Sequence, residues 1–122
     1  RGQPGVGVYR YLFAQPLESS GALVRALGAW HGVELASVFQ TFGRGMATPT
    51  ENELAVERAV LGYWTRFAAT GDPNGGSDAR WAPYATGEPL LRIAAPSREE
   101  RGWRNAECDY VDSVVQVMSP VP

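Results

Sequence analysis

The sequence has no lysine, one cysteine and one histidine in its 122 residues. All 11 basic residues are arginines, spread as Arg10, Arg25, Arg44, Arg58, Arg66, Arg80 and onward without a cluster. A net charge of −2 and no basic stripe leave no electrostatic footprint for a nucleic acid partner. With Cys108 alone, no disulfide closes within the chain and no cysteine-based metal cluster can be assembled. No run approaches the roughly 20 apolar residues of a membrane span. The first five residues, Arg1-Gly2-Gln3-Pro4-Gly5, hold no signal-peptide apolar region. A chain that opens RGQPGVGVYR without Met reads as one cut from something longer.

What is present is an apolar fraction of 44%, enough for a globular core. Val6 to Phe13 is rich in Val, Tyr and Phe and is bounded by Pro4-Gly5 and Gln15-Pro16, which predicts a strand. Its nearly continuous apolar character suits a strand covered on both faces in a parallel sheet. The other convincing strand is Pro89 to Ala94, so most of the sheet that the first strand would join is missing. Residues Glu18 to Leu27 are a linker or short helix. Gly28 to Gly32 has loop composition around Trp30 and His31, and Leu35, Val38 and Phe39 fit one or two helical turns.

The segment Pro49 to Thr70 carries helix signals at both ends. Thr48 can cap, Pro49 suits the first helical position, and Glu51 completes a capping box; Gly71 and Pro73 stop the helix. Leu54, Leu61, Trp64 and Ala68, with Val60 and Phe67 beside them, predict the inward face. Asp72 to Arg80 is turn-rich. Trp81-Ala82-Pro83-Tyr84 reads as an aromatic-proline segment laid over a larger body, and Ser97 to Arg104 as a polar stretch. Cys108 to Val117 is apolar and β-branched, compatible with helix or strand.

His31 is the side chain best suited to proton transfer near neutral pH, and it sits among small residues. By itself a lone loop histidine is more often solvated or simply hydrogen-bonded. Four segments read in order change that weighting: GAWHGVELASVF at 28–39, YWTRFAATGDPNG at 63–75, RWAPY at 80–84 and AECDYVDSV at 106–114. In order and spacing they resemble the C-terminal part of the type-B carboxylesterases and cholinesterases, over nearly the whole chain.

The resemblance implies an α/β fold in which residues 1–122 form the C-terminal part of an α/β-hydrolase domain. That part would hold the last sheet strand, the histidine loop and the C-terminal helices, incomplete as a stand-alone fold. It implies that His31 is the histidine of a catalytic triad in a serine esterase, acting on small carboxylic esters. Glu34, in the acidic position after it, is expected to orient the loop by accepting hydrogen bonds. In α/β-hydrolases the serine and the acid precede the histidine, so both would lie in a preceding part of the polypeptide, which becomes the expected partner. No G-x-S-x-G elbow occurs here. Gly75-Gly76-Ser77-Asp78-Ala79 is a near match, but it follows a helix and a turn and precedes RWAPY, so it reads as a surface loop. Ser19 and Ser20 read as loop or capping residues. Trp30 either lines an acyl or alcohol pocket or packs on the loop. Cys108 matches a terminal family cysteine that in some members pairs with an upstream one; a buried free thiol fits equally. The rival reading is a catalytically silent binding module, motivated by the missing serine. Against it stands a strand whose apolar faces and unpaired edges would be bare in isolation.

Overall fold

The computed structural model describes residues 7–42 and 48–118. In chain order it runs β1 (Tyr11–Phe13), α1 (Ala22–Ala26), α2 (Leu35–Val38), α3 (Glu51–Thr70), β2 (Leu90–Ile93), β3 (Arg98–Glu100) and α4 (Asn105–Met118). The three strands form one sheet in the order β1-β2-β3. β1 and β2 are parallel, with Tyr11 opposite Leu91 and Phe13 opposite Ile93; β3 returns antiparallel, with Leu91 opposite Glu99. The fold class is therefore mixed α/β, built on a small sheet.

Alternation along the strands sends Tyr11, Phe13, Leu91 and Ile93 to one face. There Leu91 and Ile93 are buried with Val56, Val60, Tyr63 and Trp81 in a single cluster, so α3 lies across this face. The opposite face carries Arg10, Leu12 and Arg92, with an Arg92–Glu100 ion pair at 3.7 Å.

Four expectations are corrected. β1 is shorter than Val6 to Phe13; Val6 lies outside the described residues. The chain before Tyr11 is tied to the 81–84 segment instead, through Tyr84 N–H to the Val8 carbonyl at 2.7 Å and Trp81 Nε1–H to the Arg10 carbonyl at 2.7 Å. Val8 and Tyr11 are exposed, as expected of this strand without the rest of its sheet. Second, the cap of α3 is Thr50, not Thr48. Two overlapping T-x-x-E frames exist, and the one used pairs Thr50 with Glu53, whose N–H donates to Thr50 Oγ1 at 3.2 Å while Glu53 Oε2 accepts from Thr50 N–H at 2.7 Å. This frame wins because it lets the Glu53 carboxylate be buried with partners.

Third, the inward stripe of α3 is Glu53, Val56, Val60 and Tyr63. It lies about 100° around the helix from the predicted one. Leu54, Leu61 and Trp64 flank it, half-buried, and Ala68 is exposed. Fourth, the polar Ser97 to Arg104 stretch contains β3, whose charged side chains are tolerated on an edge strand. Trp81 packs in the buried core, while Tyr84 of the same segment is exposed.

The stop of α3 is as expected: Gly71 has φ +77°, and its N–H bonds the Phe67 carbonyl at 2.8 Å. The terminal apolar segment is helical. Tyr110, Val111, Val114 and Val115 make one stripe at helical spacing, and all four are exposed.

Candidate functional site

The chain leaves β1 through Gln15 and Leu17, both buried, and reaches His31 by way of α1, which buries none of its residues. Gly28 (φ +68°) and Gly32 (φ +84°) bracket Ala29-Trp30-His31 with left-handed turns that a side chain at either place would strain. Val33 N–H bonds the Trp30 carbonyl at 3.2 Å and Leu35 N–H the Gly32 carbonyl at 3.1 Å. These bonds close the turn, while Val33 and Ser37 are buried beneath it and Val38 packs on the core cluster. The result is a turn held from below that presents the His31 imidazole to the outside.

The ion pairs among the described residues all join Arg to Asp or Glu, so none carries His31. The Glu34 carboxylate caps nothing; it is the Glu34 carbonyl that accepts, from Ser37 N–H at 2.9 Å and Val38 N–H at 3.0 Å. These are ordinary bonds of the first turn of α2. Trp30 is half-buried beside the histidine. Around the turn, Leu23 (82% exposed), Leu27, Leu35 and Phe39 (68%) are left bare.

At the entrance to this segment and the start of α3 lies a polar cluster that sequence reasoning missed. Glu53 is 1% exposed. Its Oε1 accepts from Ser19 N–H at 3.1 Å and Ser19 Oγ–H at 3.0 Å, and its Oε2 accepts from Thr50 N–H. Next to it Glu18 accepts from Thr50 Oγ1–H at 2.9 Å, Gln15 Nε2–H at 3.0 Å and Asn52 Nδ2–H at 3.2 Å. Burial alone would raise the Glu18 carboxyl, but these hydrogen bonds together with the Arg25 charge outweigh it and hold its pKa below the ordinary value. Gln15 Oε1 in turn accepts from Ala95 N–H beyond β2, at 3.1 Å. The only sequence signal for this cluster was the second T-x-x-E frame. Ser19 acts in it as a capping-type donor, in keeping with its linker setting.

The 63–84 segment is structural. Asn74 Oδ1 accepts from Trp81 N–H, Asn74 Nδ2 donates to the Trp81 carbonyl and to Asp72 Oδ1, and Pro73 is buried. Arg66 donates from Nε to the Pro73 carbonyl at 2.7 Å and pairs with Asp78 at 3.2 Å. Ser77 is exposed in this loop, as its setting predicted. Two cavities of about 440 and 330 Å³ lie along α3, lined by Val56, Tyr63 and Ala95 and by Tyr9, Trp64 and Phe67 respectively; neither includes His31. Among the described residues no three His, Cys, Asp or Glu side chains converge as metal ligands. Cys108 is an exposed free thiol on α4, which corrects the buried-thiol alternative.

The model of the carboxylesterase family matches residues 1–111. The chain belongs to the carboxylesterase family. It is similar to human bile salt-activated lipase, 39% identical over 64% of the chain and 11% of that protein. It is also similar to the medium-chain fatty acyl-CoA hydrolase precursor of Anas platyrhynchos, 32% identical over 94% of the chain and 21% of that protein. With acetylcholinesterase of Gallus gallus it shares 36% identity over 88% of the chain and 14% of the relative. The chain thus spans about a fifth or less of the length of these curated relatives. No helix among the described residues is long and apolar enough to cross a membrane.

Proposed function

We propose that residues 1–122 are the C-terminal part of a carboxylesterase-type α/β-hydrolase domain and that His31 is its triad base. The observation that carries this reading is the outward presentation of His31 on a glycine-bracketed turn, with Leu23, Leu27, Leu35 and Phe39 exposed in the sequence on either side of it. Large apolar side chains left to water in such number favour a covering body over this part of the chain. The unpaired outer edge of β1 and the bare stripe of α4 call for neighbours as well. These surfaces favour the hydrolase part over a self-sufficient binding module.

In the complete enzyme a serine supplied by the preceding part attacks the ester carbonyl while His31 takes its proton. His31 returns that proton to the leaving alcohol, giving an acyl-enzyme. It then takes a proton from water, which attacks the acyl carbon, and passes that proton to the departing serine oxygen as the acid is released. The acid of the triad, also in the preceding part, would hold the imidazole in its working tautomer. Neither metal nor organic cofactor enters these steps.

The test is His31→Ala in the complete enzyme, with p-nitrophenyl acetate turnover and labelling by a serine-directed fluorophosphonate. Turnover is expected to fall by roughly 10⁴-fold or more, and labelling to slow with it. Near wild-type turnover would exclude His31 as the base.

A further inference from the structure

We infer that Glu53 is a positioning residue for His31: one buried carboxylate that fastens both ends of the segment carrying the histidine. The inference rests on the reading of His31 as the base. In a capping box the glutamate returns one oxygen to the cap N–H, and nothing in that role requires the second oxygen to be buried or partnered from elsewhere. Here Oε2 takes the Thr50 N–H in the capping role, while Oε1 takes both the N–H and the hydroxyl of Ser19, 34 positions away in sequence. Ser19 lies before His31 and Thr50 after it, so the two ends of the intervening chain meet on a single side chain.

That side chain is anchored to α3, a 20-residue helix buried along the sheet. Among the described residues the segment it fastens has only α1 and α2, of five and four residues, too short to hold shape alone. Glu18 adds a second tie from the same entrance to the same exit, through Thr50 Oγ1. The clasp thus joins the point where the segment carrying His31 leaves the body of the chain to the point where it returns at α3. A carboxylate suits this better than an amide, since all three partners of Glu53 are donors; a Gln would turn an NH₂ against one of them at a buried site.

Triad geometry is unforgiving, and a displacement of about 1 Å can cost on the order of 100-fold in rate. In the complete enzyme we therefore expect Glu53→Gln to lower kcat about 10- to 100-fold with KM little changed. Ser19→Ala, which removes one of the three donors, should lower kcat less, and Ser19→Thr should restore it. Val60→Ala, a core truncation in the same helix, serves as the control of comparable thermal destabilisation and should keep kcat. Wild-type kcat in Glu53→Gln, or an equal loss in Val60→Ala, would overturn the clasp. Should Glu53→Gln not fold, wild-type kcat in Ser19→Ala would do the same. His31→Ala is measured alongside: if it is inactive while the clasp variants are normal, only the clasp fails, whereas activity in His31→Ala removes the reading on which the clasp rests.

Discussion

Asn74 and Trp81 bond each other twice through one side-chain amide: Trp81 N–H donates to Asn74 Oδ1 at 2.8 Å, and Asn74 Nδ2 donates to the Trp81 carbonyl at 2.9 Å. The amide mimics a strand partner and closes the loop after α3, carrying the Trp81 indole into the core between Tyr9, Tyr63 and Trp64.

Asn74→Ala is expected to destabilise the complete enzyme by about 1–3 kcal/mol, because two part-buried backbone groups of Trp81 lose their partner. Asn74→Asp keeps the acceptor but loses the donor and sets a second carboxylate beside Asp72, so it should be no better tolerated. Urea denaturation at equilibrium, or the Tm, reads both.

Gly32→Ala should act on catalysis and stability together. A Cβ at φ +84° is strained by about 1 kcal/mol, although the space around it is open, the nearest atom being Leu35 Cδ1 at 3.9 Å. Gly71→Ala, at φ +77° with nothing within 4 Å, bears the same backbone strain far from His31. Equal losses of Tm with a fall in kcat confined to Gly32→Ala would show that the turn geometry itself serves the histidine. Equal kcat in the two variants would contradict it.

Tyr63 lies 1% exposed on α3 and donates its hydroxyl to the Ala79 carbonyl. Burial, with the nearby Asp78 charge, pushes its pKa up to about 12, partly opposed by Arg66. A phenol whose folded pKa exceeds its unfolded one contributes stability that is complete below pH 10 and is lost as pH rises toward 12. Tyr63→Phe should cost about 1 kcal/mol at neutral pH and flatten the decline in stability over that alkaline window. A decline that is as steep in the variant would assign it to other groups.

At the acid end Glu18 behaves in the opposite sense. Its folded pKa lies below the ordinary 4.5, so its contribution is present above that pH and is lost as pH falls through the folded value. Glu18→Gln is therefore expected to lower stability at pH 7 and to differ little from wild type once the carboxyl is protonated in both states. A gap that persists at the lowest pH would mean that the loss comes from packing and not from charge-assisted hydrogen bonds.

The 13.2 kDa chain expressed alone should self-associate, since Leu23, Leu27, Leu35 and Phe39 on one side and Tyr110, Val111 and Val115 on α4 meet water directly. Sedimentation at several concentrations tests this. A monomer that unfolds cooperatively would favour the binding-module alternative.

Local chemistry alone determined the end of α3 at Gly71, the turn-rich loop after it, the strand at Leu90–Ile93 and the small-residue turn around His31, because each depends on residues close in sequence. The ordered family segments came from the same source, and their structural part is now plain in the Asn74–Trp81 bridge. Only the tertiary structure decided between the two capping frames. Thr48–Glu51 and Thr50–Glu53 are locally equivalent, and the second is used because its glutamate can be buried against Ser19, a donor 34 residues away. The inward face of α3 was misread for a related reason: Glu53 counts as polar in any periodicity, yet three donors make it a core residue, and the stripe turns with it. Ser97 to Arg104 hid β3 because an edge strand needs a neighbour's backbone more than an apolar pattern, and its pairing with that neighbour, β2, is set only once the chain has folded.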